Sequence, residues 1–115
     1  MIDLKDALLA VPACTLQTVP ITTASRHKWL LYWYRGDDGD FYFSFISPRR
    51  RSYLALVAYD GRVTDASVAT ADGYSIASYR ESWGDSPEDL DDVLRLIPKH
   101  IMRRLHTLLD AIGSY

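Results

Sequence analysis

The stretch Phe41-Tyr42-Phe43-Ser44-Phe45-Ile46-Ser47-Pro48-Arg49-Arg50-Arg51-Ser52-Tyr53-Leu54-Ala55-Leu56-Val57 decides the fold. Phe41, Phe43 and Phe45 alternate with Tyr42, Ser44 and Ile46, the period of two that gives a strand two distinct faces. A polar turn holding Pro48 and three arginines follows. Tyr53, Ala55, Val57 and Tyr59 then share one parity, with Leu54, Leu56 and Ala58 on the other. Two such runs around a short turn specify antiparallel pairing, because a parallel return needs a crossover of a dozen or more residues.

Working outward, Asp60-Gly61 predicts a two-residue type I′ turn in which both residues take positive φ, so that Arg62 to Thr70 pairs back antiparallel. Asp72-Gly73 repeats the signal before a last strand over Tyr74 to Tyr79. Upstream, Trp29-Leu30-Leu31-Tyr32-Trp33-Tyr34 is an apolar run of strand length closed by Gly36-Asp37-Asp38-Gly39, and it reads as a strand covered on both faces. Cys14 to Thr23 is short and β-branched, but Pro20 cannot donate to a ladder and confines this segment to an edge or a break.

Helical signals flank the strands. Asp3 can cap a short helix whose Leu4, Ala7, Leu8 and Val11 lie three and four apart, and Pro12 closes it. Ser86-Pro87-Glu88-Asp89 combines a capping serine, proline at the first helical position and acidic residues where the helix dipole favours them. Leu90, Val93, Leu94, Ile97, Ile101, Leu105, Leu108 and Ile112 then recur at helical spacing until Gly113. Pro98 interrupts them; its ring clashes with the carbonyl of Leu94, which predicts a kink or two helices with Pro98 opening the second. The expectation is one α+β domain over residues 1–115. It has a short N-terminal helix, an antiparallel β-meander of about five to six strands between Cys14 and Tyr79, and a C-terminal helix, kinked or split at Pro98, packed on one sheet face.

Composition narrows the function classes. At 115 residues, 48% apolar and 24% charged, the chain has the makeup of an ordinary globular domain and neither a disordered nor a fibrous one. One cysteine, Cys14, excludes an intramolecular disulfide; it reads as a buried structural thiol in a reducing compartment. A net charge of -2 gives no overall field toward nucleic acid or an anionic membrane. No apolar run approaches the roughly 18 residues of a membrane span, and the start of the chain is charged where a secretory signal is apolar. A cytoplasmic protein without membrane contact is expected.

Candidate chemistry is sparse. Pairing Cys14 with a histidine would give a nucleophile and base, but no glycine turn flanks Cys14 to expose it. His100 and His106 are six residues apart, which places them well apart around a helix axis, and His27 sits in a polar stretch, so no shared metal is expected. Asp37, Asp38 and Asp40 crowd one turn without the spacing of a calcium loop, and a solvated hairpin is the plainer reading. Glycine-rich phosphate loops, a Gly-x-Ser-x-Gly elbow and metal-ligand helices are absent, so a protein that is not an enzyme, with no catalytic residue, cofactor or metal, is expected.

Three features bear on binding. Arg49-Arg50-Arg51 lies between aromatic strands, and arginine forks take phosphates while aromatic faces stack on unpaired bases. Lys99, Arg103 and Arg104 against Asp85, Glu88, Asp89, Asp91 and Asp92 polarise the C-terminal helix in the sense its dipole favours, with Asp91 placed to pair Arg95. Eight tyrosines and three tryptophans exceed what the inner face of one small sheet absorbs. Tyrosine combines a large apolar area with a polar tip and recurs as an interface anchor. The expected partner-binding residues are Tyr32, Tyr34, Tyr42, Arg49, Arg50, Arg51, Tyr53 and Tyr59. The leading expectation is a small intracellular inhibitor, immunity protein or adaptor, of the kind phages and mobile elements use against host defences, binding a protein partner. The alternatives are a nucleic-acid-binding module using Arg49 to Arg51 with the sheet aromatics, a small-ligand pocket between sheet and helix by analogy of fold alone, and a homodimer through the aromatic sheet face.

Overall fold

Four hairpin turns of one design lay out the sheet. The computed structural model describes residues 4–22 and 28–113. Its strands are β1 (Gln17–Thr22), β2 (Lys28–Arg35), β3 (Phe41–Ile46), β4 (Ser52–Val57), β5 (Val63–Ala69) and β6 (Ser75–Arg80). They stand in sequence order, each antiparallel to the next. Helix α1 (Leu4–Ala10) precedes the sheet; a 3-10 turn (Glu81–Trp83), α2 (Pro87–Leu94) and α3 (Lys99–Gly113) follow it. The protein is an α+β meander of six strands covered by helices on one face, as its strand and helix patterns predict. The first strand begins at Gln17 rather than Cys14.

In each turn from β2 onward, one residue donates its N–H to the carbonyl four residues on and accepts from the N–H three residues on. Gly36 does so with Asp40 and Gly39 (2.8 and 3.1 Å), and Ser47 with Arg51 and Arg50 (2.9 and 2.8 Å). Ala58 does so with Arg62 and Gly61 (2.8 and 2.9 Å), and Thr70 with Tyr74 and Gly73 (2.9 and 3.0 Å). The last loop residue is left-handed each time: Gly39, Gly61 and Gly73 at φ 87° and Arg50 at φ 62°. These are three-residue hairpins, a type I turn completed by a left-handed bulge residue. Asp60-Gly61 therefore does not form the expected type I′ turn. Only Gly61 takes positive φ, and Asp60 instead accepts the Arg62 N–H on Oδ1 at 3.1 Å.

Strand parity then sorts the side chains. Trp29, Leu31 and Trp33 of β2, the three phenylalanines of β3, and Tyr53, Ala55 and Val57 of β4 all point under the helices and are buried. They meet Leu8 of α1, Val93 of α2, and Ile101, Leu105, Leu108 and Ile112 of α3 in one continuous core. Burying a side chain of this size contributes about 1.5–3 kcal/mol, so this face supplies most of the driving force for the fold. The alternate residues Leu30, Tyr32 and Tyr34 stay half-exposed, so β2 is covered on one face and not on both.

Local chemistry fixes the helices. Ser86 accepts the Asp89 N–H on Oγ at 3.3 Å while Asp89 Oδ2 accepts the Ser86 N–H at 2.8 Å, a reciprocal cap with Pro87 at the first helical position. Pro98 splits the cover in two. Its carbonyl accepts from Ile101 and Met102 (3.0 and 2.9 Å), so it caps α3 from outside rather than kinking it. Along α2 the acidic partner of Arg95 is Asp92, three residues back at 3.2 Å, rather than Asp91. At the far end α3 is pressed against the β4–β5 turn. A Cβ placed on Gly61 would stand 3.0 Å from Gly113 Cα and from the Leu109 carbonyl oxygen.

Cys14 is not the buried thiol expected. It is exposed in the connection from α1 to β1, with φ 63°, and its N–H donates to the Arg35 carbonyl at 2.7 Å. A second tie, from Arg35 Nη2 to the Val11 carbonyl at 2.9 Å, holds the same connection to the end of β2.

Candidate binding surfaces

The eight residues singled out as partner-binding fall in three places. Tyr32, Tyr34 and Tyr42 share the open face. Strand register sets Tyr34 opposite Tyr42, Tyr42 opposite Leu56, and Leu56 opposite Asp65, which pairs Arg80. The next open row runs Tyr32, Ser44, Leu54, Ser67 and Ser78, and a third runs Leu30, Ile46, Ser52 and Ala69. Across β2, β3 and β4 this face holds tyrosine, leucine, isoleucine and serine, and its one charged side chain is Lys28 at the first residue of β2. Charge begins at its margin. Arg80 lies 3.8 Å from Asp65 and stands over the ring of the exposed Trp83, 4.2 Å from its centroid.

Tyr34 and Tyr42 stack, with centroids 4.4 Å apart and planes 10° from parallel. Burial pushes the Tyr42 phenol above its ordinary pKa, and the negative charge of Asp38 in the adjoining turn adds to the shift. Asp40 in the same turn is also raised, first by burial and then by Asp38, whose Oδ1 accepts the Asp40 N–H at 3.0 Å. Among the described residues no three His, Cys, Asp or Glu side chains converge as a metal site, and Asp37, Asp38 and Asp40 do not form one.

Tyr53 does not belong with the open-face tyrosines. It is 5% exposed on the covered side, because the five residues from Ser47 to Arg51 carry strand parity across the turn so that Phe45 pairs Tyr53. Tyr59 shares no strand face with it. The β4–β5 hairpin starts at Ala58, and Tyr59 projects from that turn, 69% exposed.

Arg49, Arg50 and Arg51 stand at the opposite end of the sheet from Tyr59. There the β3–β4 turn, the β5–β6 turn, the start of β2 and the first turn of α3 border a half-open cavity of about 720 Å³. Arg49 and Arg51 form part of its wall, with Trp29, Tyr53 and His100. The rings make one cluster. Trp29 meets His100 edge to face at 5.5 Å and Tyr53 at 5.6 Å with planes tilted by 35°. Sequence patterns weigh His100 only as a metal ligand; its place beside Trp29, 71 residues away along the chain, leaves no local signal.

Among the described residues no helix is long and apolar enough to cross a membrane. A scan against protein-family models and searches among curated proteins and solved structures returned no match to this chain.

Proposed function

We propose that the chain is a non-catalytic binding protein, a small inhibitor, immunity protein or adaptor, that engages a protein partner through the open face of β2–β4. The observation that carries this reading is the apolar centre of that face: three half-exposed tyrosines beside Leu30, Ile46, Leu54 and Leu56, with charge only at its edge in Lys28, on the side that the helices leave open. An antiparallel sheet that only meets water alternates polar residues onto its outer face. Here the outer parity is aromatic and aliphatic, which is the composition of an interface core. The partner surface that fits is itself apolar and without a cluster of one charge, with donors and acceptors for the tyrosine and serine hydroxyls.

Six strands spaced about 4.8 Å apart and about 20 Å long project roughly 500 Å². Standard interfaces bury about 800 Å² per partner, so a docked protein overlaps the margin of the sheet. Trp83, 73% exposed beside Arg80, is the aromatic anchor available there. The size of the chain and the absence of catalytic motifs suit a phage or mobile-element inhibitor. An exposed lone thiol at Cys14 suits the reducing cytoplasm, where we place the protein.

The test is site-specific photo-crosslinking in the source cell. A crosslinking residue replaces Leu54 on the open face or Leu96 between α2 and α3, positions 36% and 43% exposed. Capture of a second protein from position 54 and not from 96, abolished by Tyr42→Asp, is the expected result. Capture of only another copy of the chain, or equal capture from both positions, would sink the proposal.

A further inference from the structure

The cavity at the arginine end of the sheet has a chemistry the open face lacks. Among the described residues no carboxylate contributes to its wall, which is cationic at the β3–β4 turn and aromatic where Trp29, Tyr53 and His100 meet. Among the described residues the arginines in ion pairs are Arg62, Arg80 and Arg95, so Arg49 and Arg51 keep their guanidinium donors free of a protein carboxylate. The first turn of α3, the positive end of that helix dipole, borders the same space. The turn between the two arginines is also held at a cost. Arg50 occupies the left-handed position that glycine fills in the three sister hairpins, and this conformation costs an L-residue about 1–2 kcal/mol. The result is a turn whose Arg49 and Arg51 both form the cavity wall, with Arg50 between them in the left-handed position.

Its volume separates the candidate ligands. A bare anion would leave most of 720 Å³ empty, whereas pockets of roughly 300–1,000 Å³ take ligands with a ring system. Arginine forks bind phosphate oxygens in pairs, and aromatic walls accept a planar base. We propose that this cavity binds a nucleoside phosphate, with the phosphate on Arg49 and Arg51 and the base toward Trp29, Tyr53 and His100. A free mononucleotide and the 5′-phosphorylated end of a single strand present the same chemistry. This site lies on the helix side of the sheet and stands or falls separately from the open face.

The experiment is calorimetric titration of the purified chain with AMP, with a 5′-phosphorylated thymidine oligonucleotide and with inorganic phosphate, alongside amide chemical-shift mapping. AMP or the oligonucleotide is expected to saturate the protein at micromolar concentration, at least tenfold more tightly than phosphate, with shifts centred on residues 47–53 and His100. Arg49→Ala/Arg51→Ala is expected to weaken binding at least tenfold. Arg49→Lys/Arg51→Lys, which keeps charge and loses the forks, falls between, and Arg103→Ala on the exposed side of α3 leaves affinity unchanged. Both arginines are exposed, so the variants retain the parent fold, checked by their amide spectra. A mononucleotide that binds as tightly as the oligonucleotide assigns the site to free nucleotide; a clear preference for the oligonucleotide assigns it to strand ends. The proposal is overturned by no saturation below millimolar nucleotide, by phosphate binding as tightly as AMP, or by affinity that survives the double alanine change.

Discussion

Tyr34 and Tyr42 stack ring on ring at 4.4 Å from directly opposed positions of β2 and β3, on a face that no helix covers. A cross-strand aromatic pair contributes about 0.5–1.5 kcal/mol beyond its buried area, so it is a minor part of the stability of the sheet. Each single alanine change at Tyr34 or Tyr42 is expected to lower unfolding free energy by about 1 kcal/mol, with a coupling in the same range between them. A urea double-mutant cycle measures both. Loss of partner capture far larger than this change in stability is what an interface role predicts; a coupling near zero would show that the stack contributes nothing.

Asp38 links the pair to its turn. It is the second cause, after burial, of the raised pKa values of both Asp40 and Tyr42. Asp38→Asn is therefore expected to lower both without restoring either to its ordinary value. Carboxyl carbon shifts for Asp40 and ring shifts for Tyr42, followed through pH titration, provide the check. The sign for stability is the same at each site. Protonated Asp40 is favoured by folding, so its contribution is full below the ordinary value of 3.8 and is lost as pH rises through the raised one. Tyr42 likewise contributes fully below 10.0 and loses stability as pH climbs above it. Asp40→Asn should accordingly raise stability at neutral pH relative to the parent and flatten the acid side of the profile. An unchanged profile would contradict the burial of this carboxyl.

In the core, Leu105 of α3 is fully buried within the cluster that joins helix and sheet. Leu105→Ala is expected to cost about 2–5 kcal/mol by lost burial and the cavity left behind. That is a large share of the 5–15 kcal/mol typical of a domain, and thermal or urea unfolding reads it directly. A loss under 1 kcal/mol would mean that α3 is not a principal cover of the sheet.

The meander, the capped start of α2 and the break at Pro98 were legible because each rests on local chemistry: alternation, a serine–proline–acid start, a missing N–H. Facing was not. In β2 both parities are apolar, Trp29, Leu31 and Trp33 against Leu30, Tyr32 and Tyr34, and nothing local says which set the helices cover. Tyr53 was grouped with the open-face tyrosines for the same reason. Its side depends on how many residues the arginine turn consumes, and Arg50 hides that number because the left-handed position carries no glycine. The arginine cavity depends on contacts between β2 and α3 at long sequence separation, which periodicity does not encode.

Gly61 and Gly73 occupy the same turn position at the same φ of 87°, but their surroundings differ. A Cβ on Gly73 meets nothing within 4 Å, whereas one on Gly61 meets backbone atoms of α3 at 3.0 Å. Gly73→Ala should cost only the left-handed strain, about 1–2 kcal/mol. Gly61→Ala adds a clash with backbone that cannot rotate away and should cost at least about 1 kcal/mol more, read from urea midpoints. Equal losses would show that the end of α3 is free to move off the turn.

Arg50 reverses that logic. Arg50→Gly removes left-handed strain of about 1–2 kcal/mol and adds about 0.5–1 kcal/mol of chain entropy, so a net gain between zero and about 1.5 kcal/mol is expected. Arg50→Ala keeps the strain and should stay within about 0.5 kcal/mol of the parent. Both leave the cavity-wall residues Arg49 and Arg51 in place, so the glycine variant should be more stable and bind nucleotide no more tightly. If glycine and alanine prove equally stable, Arg50 is not strained, and the β3–β4 turn holds its three arginines at no cost to the fold.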